Sequence, residues 1–231
     1  MENKAQINIE SYRTEEAIEK YSHYNLYTNE KYLFNKYFQK GKTILDLACG
    51  GGRTTVRLFE MGYQVKGTDI SDVLIGIAKK RFPAIQFAVG DYSQIEEADR
   101  SFDNILISHN GLDYAYPETQ RIKAIRECAR VIKPTGFFVF SSHNIKSLHF
   151  SPFYLKQRKI WMLKNCWKAF YDRKYILDLD MWTYYCSPDF CIRQVEEAGF
   201  QLKEMIGFRS STNRFFNTYL SPYVHYVFQK T

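Results

Sequence analysis

Short apolar runs alternate with longer stretches of helical periodicity along most of this chain. That alternation predicts βα units, an α/β fold built on a parallel sheet. Ile44, Leu45 and Leu47 supply the first strand, and further strands fall at residues 64–69, 85–89, 101–108 and 137–141. Helices are predicted between them at about 53–61, 72–81 and 117–132, the last with Ile122, Ile125, Ala129 and Ile132 on its buried face. Gly62 stops the first helix, Ser71 caps the second and Phe82-Pro83 ends it. Ser187-Pro188 opens another helix that finishes at Gly199, and strands at 200–208 and 223–229 follow. Ahead of the first strand, a helix starts near Thr14, and Tyr21, Tyr24 and Tyr27 recur every third residue along one face. A second helix, over 29–39, buries Leu33, Phe34, Tyr37 and Phe38 and is ended by Gly41.

Candidate chemistry begins at the end of the first strand. Asp46-Leu-Ala-Cys-Gly-Gly-Gly-Arg53 is a strand end, a tight glycine turn and the start of a helix whose free N–H groups face whatever sits on the turn. A dinucleotide fingerprint needs Gly-x-Gly-x-x-Gly/Ala; here Gly50 and Gly52 fit, but the last position is Thr55. Asp46 is a poor neighbour for a pyrophosphate and a good one for an ammonium. Two more acids close the next strands: Asp69 after 64–68, and Asp91 in Gly90-Asp-Tyr92 after 85–89. In a parallel sheet, Asp46, Asp69 and Asp91 stand side by side on the carboxyl edge, where such folds bind ligands.

Asp-x-x-x-Gly-x-Gly resembles the first motif of the class I S-adenosylmethionine-dependent methyltransferases. Gly-Asp at 90–91, Phe102-Asp103 before the fourth strand, Glu127 to Gly136 and Glu196-Glu-Ala-Gly-Phe200 resemble that family's later motifs, in order. The resemblance covers about 43–142 and 187–229. It implies a Rossmann-like, seven-stranded, mostly parallel sheet with one antiparallel strand, the last, inserted between the fifth and sixth, and helices on both faces. It also implies that S-adenosylmethionine binds, leaving S-adenosylhomocysteine after transfer. Ala48, Gly50 and Gly52 would then form the turn over the cofactor, and Asp69 would accept the ribose hydroxyls. Ile70 would lie on the adenine, Asp91 would accept from its amine, Tyr92 would serve the base and Ser108 would end the fourth strand beside the methyl group. His109 follows as the candidate catalytic base, since an imidazole titrates near neutrality. Tyr21 and Tyr24 are the N-terminal candidates for the methionine end. The loop after the fourth strand carries neither Asp/Asn-Pro-Pro-Tyr/Phe nor a carboxylate cluster for a hard cation, so metal independence is expected.

Composition changes this picture in one place. The chain has 231 residues, enough for a single domain, with 17% aromatic residues and a net charge of +7. Trp161, Trp167 and Trp182 all fall between 144 and 186, interleaved with basic residues such as Lys156, Arg158, Lys164 and Arg173. On this reading 1–42 is an N-terminal helical cover, 43–143 and 187–231 form the core, and 144–186 is an inserted lid that shapes the acceptor pocket. A small-molecule acceptor, methylated on O, N or C, is favoured over single-stranded nucleic acid, the alternative being an RNA (tRNA-type) methyltransferase. A non-catalytic protein that only binds the cofactor is a second alternative; a dehydrogenase is disfavoured by Thr55 and Asp46. Five cysteines without C-x-x-C spacing suggest reduced thiols in a cytoplasm, and neither a signal core nor a membrane-length apolar run is seen. Either a monomer or a homodimer is compatible.

Overall fold

In this computed structural model the described residues are 4–11, 25–147, 171–178, 181–207 and 210–231. Tyr21, Tyr24, the helix expected from Thr14, and the stretch containing Trp161 and Trp167 lie outside them.

Side chains alternate across a strand, and the alternation here sorts the core into two layers. Along β1 (Thr43–Leu47), Leu45 and Leu47 enter one layer and Ile44 the other; along β4 (Phe102–Ile107), Ile105 and Ile107 oppose Leu106 in the same way. Helix α2 (Thr28–Tyr37), α3 (Arg53–Glu60) and α4 (Asp72–Arg81) cover the Ile44 side with Leu33, Phe34, Val56, Leu58, Ile75 and Ala78. Helix α5 (Glu118–Val131) and α6 (Pro188–Glu196) cover the Leu45 side with Ala124, Ile125, Cys128, Cys191 and Val195. Helices on both faces leave the strands buried on two sides, which is why they read as apolar runs.

The strand order is β3 (Gln86–Val89), β2 (Gln64–Asp69), β1, β4, β5 (Ile132–Asn144), β9 (Tyr223–Lys230), β8 (Phe200–Ile206). β1 to β5 are parallel, and β9 runs antiparallel between β5 and β8 as expected. To these seven the molecule adds a ribbon, β6 (Arg173–Asp178) and β7 (Met181–Cys186), whose β7 pairs with the far end of β5 at His143 and Asn144. The described end of the 144–186 segment is therefore a strand pair added to the sheet.

Two elements differ from the reading of the sequence. Helix α5 buries Arg121, Ala124, Ile125, Cys128 and Val131, so its inner face is rotated from the expected one and Ile122 and Ala129 are only half-buried. Arg121 is drawn inward by Asp113 and Gln194, at 2.6 and 2.9 Å. A further helix, α1 (Lys4–Ser11), was not expected. Asn8 ties it down by exchanging hydrogen bonds with the backbone of Trp182 and donating to the Tyr114 carbonyl. Among the described residues, no helix is long and apolar enough to cross a membrane.

Candidate active site

The carboxyl ends of β1 to β4 open onto one cleft with a cavity volume of about 260 Å³. Ala48, Gly50, Asp69, Ile70, Asp91, Tyr92, Ser108 and His109 all line it. Eight positions chosen from the sequence are thus brought together by topology, because parallel strands deliver their ends to the same edge.

Asp69 organises the floor. One of its oxygens accepts from the N–H of Gly50 and the other from the N–H of Ser71, both at 2.8 Å. It therefore braces the glycine turn and the start of α4 while lining the cleft. Burial raises its pKa, and the two N–H donors oppose that rise. Each carboxylate oxygen can accept more than one hydrogen bond, so bracing leaves capacity for a ligand. Asp91 is exposed, and one of its oxygens accepts from the N–H of Ser93 at 2.7 Å. Ile70, 40% exposed, offers an apolar surface beside them. The Tyr92 hydroxyl donates to the Gly111 carbonyl at 3.4 Å, propping the loop that carries His109.

Two candidates are placed elsewhere. Asp46 does not open onto the cleft. It shares the Ile44 side of β1, so its carboxylate points under α3, where the Thr54 and Thr55 hydroxyls both donate to Oδ2 at 2.6 Å. Burial lifts its pKa to about 6 against those two bonds. Its Oδ1 is buried with no partner among the described residues. Gly52 also faces away from the cleft. It sits at φ +93°, and a Cβ there would come within 2.9 Å of the Phe87 ring of β3. The glycine serves the close packing of α3 on the sheet.

A cluster around Glu30 carries no signal in the motifs. Glu30 and Arg53 form a two-pronged ion pair at 2.6 and 2.8 Å, and Ser108 donates to the same carboxylate. Burial pushes the Glu30 carboxyl up, but the Arg53 and Ser108 bonds outweigh it and hold its pKa low. Arg53 also lies 4.6 Å over the Tyr27 ring, whose other neighbour is the His109 imidazole, stacked at 5.8 Å with an interplanar angle of 20°. The Tyr27 hydroxyl is 3.4 Å from His109 Nδ1. Tyr27, of the same three-residue spacing as Tyr21 and Tyr24, thus stands beside the candidate base. Its place in the three-residue spacing was the only signal for it.

His109 and Asn110 both adopt left-handed backbone, with φ of 51° and 59°. Non-glycine residues need support to hold that conformation. The Asn110 N–H donates to Ser141 Oγ at 2.8 Å, and its side-chain amide lies 3.2 Å from His143 Nε2. His143 is fixed in turn by Asp113, which takes bonds from the His143 backbone N–H at 2.6 Å, its Nδ1 at 2.8 Å, Ser142 Oγ at 2.7 Å and Arg121 at 2.6 Å. Asp113 and Arg121 are fully buried, so this network lies in a low-dielectric region where unpaired charge is costly.

The donor set discriminates between ligands. Of the charged residues lining the cleft, Asp69 and Asp91 are acids, and the cation Arg53 is spent on Glu30. The Gly50 N–H, which a phosphate would need, is taken by Asp69. A pyrophosphate fits this poorly; a cationic, phosphate-free nucleoside such as S-adenosylmethionine fits it well.

Comparison with known proteins agrees. Residues 44–136 match a family described as a methyltransferase domain. YqeM of Bacillus subtilis is 34% identical over 109 residues, 46% of this chain and 44% of that protein. A ubiquinone biosynthesis O-methyltransferase of Coxiella burnetii is 34% identical over 118 residues, 49% of each chain. The chain therefore spans about half the length of these curated relatives. A solved structure of a SAM-dependent methyltransferase from Methanosarcina mazei superposes with a TM-score of 0.66 at 19% identity, covering 89% of this chain and 98% of that one, a likeness of fold. Motif order, strand order and the domain match coincide: residues 44–136 carry a methyltransferase domain, on the fold that the solved S-adenosylmethionine-dependent methyltransferase shares.

Proposed function

We propose that the protein transfers the methyl group of S-adenosylmethionine to an O, N or C atom of a small-molecule acceptor. The observation that carries this reading is the meeting of Asp69, Asp91 and the Ser108-His109 strand end on one cleft whose lining cation is already paired. Asp69 would accept the ribose hydroxyls, Asp91 the adenine amine, and Ile70 would pack on the base. Ala48 and Gly50 would contact the methionine portion. When bound, the sulfonium supplies an electrophilic methyl carbon. The protein's part is to fix the acceptor in line, exclude water and receive any proton released, so proximity supplies much of the rate. His109, which lines the cleft, would take that proton.

The test is Asp91→Ala, a change at an exposed residue whose side chain accepts a hydrogen bond from the Ser93 N–H and takes part in no ion pair among the described residues. Loss of one charge-assisted hydrogen bond should weaken S-adenosylhomocysteine binding by about tenfold in calorimetry, with the thermal unfolding midpoint unchanged. Unaltered affinity would contradict the placement of the adenine.

A further inference from the structure

The turn His109-Asn110-Gly111 walls two openings. His109 and Gly111 line the cleft, while His109 and Asn110 line a second cavity of about 560 Å³. His109 and Asn110 are both left-handed, so the turn must be held from outside. We infer that His143, which lines neither opening, is the residue that positions it: one ring nitrogen is anchored on Asp113, and the other grips the Asn110 amide and keeps the turn, with His109, against the cofactor cleft. The inference rests on the reading above in taking S-adenosylhomocysteine as the ligand of that cleft.

Three observations carry it. First, the hydrogen bonds fix the imidazole. An ionised carboxylate only accepts, and its two oxygens offer about four lone-pair sites. Asp113 fills them: Arg121 and Ser142 donate to Oδ1, and the His143 backbone N–H and Nδ1 donate to Oδ2. Nδ1 therefore carries the proton, and Nε2 of the neutral ring is an acceptor. The Asn110 amide meets Nε2 with its NH₂ group, at 3.2 Å; turning the amide over would bring two acceptors together. This orientation leaves Asn110 Oδ1 buried without a partner among the described residues, a cost that the fold accepts in making the bond to His143.

Second, Ser141 and His143 are two residues apart on β5 and share a face of the strand, so one rigid element holds Asn110 twice. Ser141 Oγ takes its backbone N–H and His143 takes its amide. The turn is held close to the cofactor side: a Cβ on Gly111 would come within 2.9 Å of the Ala48 Cβ beside the glycine turn. Any shift of the turn therefore moves a wall of the cleft. Third, the ribbon that this chain adds to the seven-stranded sheet is built onto His143. β7 joins β5 at His143 and Asn144, with Tyr185 opposite His143 and its ring 4.8 Å from the imidazole. From the other element of the network, the Tyr114 ring meets the imidazole edge-on at 6.5 Å. The ribbon thus buttresses the ring that grips the turn.

Two measurements on the full chain test this. In nitrogen-15 spectra at pH 8 the His143 ring should carry its proton on Nδ1, with Nε2 bare; a proton on Nε2 would overturn the inference. Calorimetry with S-adenosylhomocysteine then separates the grip from the backbone. Glycine adopts left-handed backbone freely, so if Asn110 served the shape of the turn alone, Asn110→Gly would leave affinity unchanged. With the grip, Asn110→Gly and His143→Phe should each weaken binding by about fivefold, the worth of one hydrogen bond, and the double variant no further. His143→Gln, whose amide oxygen can accept from Asn110, should stay within about twofold of the unmodified chain. Unchanged affinity in Asn110→Gly, additive losses in the double variant, or no rescue by His143→Gln would overturn the inference. Should His143→Phe fail to fold, Asn110→Gly and the spectrum still decide. An unmodified chain that does not bind S-adenosylhomocysteine would instead bring down the methyl-transfer reading, so the two failures are told apart.

Discussion

Asp46 has one oxygen held by two threonine hydroxyls and another with no partner among the described residues. Burial raises its pKa from 3.8 to about 6, so between those values the native state binds the proton that the unfolded chain has released. Stability contributed by this site is therefore greatest below pH 4 and falls as pH rises to 6, by an amount on the order of 2–3 kcal/mol. Asp46→Asn removes the ionisation. Urea unfolding at pH 4.5 and 7.5 should show the variant gaining on the wild type at the higher pH; a difference independent of pH would show that the carboxylate ionises without penalty. The acid was legible as a strand-end residue, yet its direction follows from the same two-residue alternation that marks the strand. Ile44 and Asp46 must share a side, and that side is covered by α3. Asp69, on β2, reaches the edge and lines the cleft.

At the scale of elements, β1 to β5, β9 and the helices between the first five strands follow from apolar runs and capping residues, because each is fixed by local signals, whereas the antiparallel placing of β9 was legible only through the family resemblance. What the pattern missed was decided by polar contacts far away in the chain. Arg121 turns α5 inward because Asp113 and Gln194 satisfy it, and Asn8 holds α1 through backbone groups of Trp182 and Tyr114. Periodicity counts apolar residues and is blind to a buried guanidinium. Arg121→Met should therefore lower stability by about 3–5 kcal/mol by leaving Asp113 buried without its cation, a loss read from the urea midpoint. A change under about 1 kcal/mol would show that the pair contributes little. The sheet also depends on close approach between neighbours. A Cβ on Gly67 of β2 would meet the Phe87 ring at 2.8 Å and the Thr55 hydroxyl at 2.9 Å. Gly67→Ala should destabilise the fold by roughly 1–3 kcal/mol, and Phe87→Leu in the same chain should recover part of that loss.

Over the whole molecule, α2, ahead of β1, is locked to the site by charge. Glu30 of α2 grips Arg53 at the start of α3 and meets Ser108 just past the end of β4, so α2 and the cleft share one buried ion pair. Replacing Glu30 with Gln strands the Arg53 cation in the cleft, which should cost about 3–5 kcal/mol of stability and repel a sulfonium ligand more than its neutral thioether product. The measurable sign is a larger loss of affinity for S-adenosylmethionine than for S-adenosylhomocysteine. The central claim, that this carboxylate-edged cleft accepts a phosphate-free nucleoside, is tested most directly by calorimetry of the purified chain with S-adenosylhomocysteine and, separately, with NAD. The account predicts saturable heat with S-adenosylhomocysteine, abolished by Asp69→Ala, and none with NAD; saturable heat with NAD and none with S-adenosylhomocysteine would contradict it.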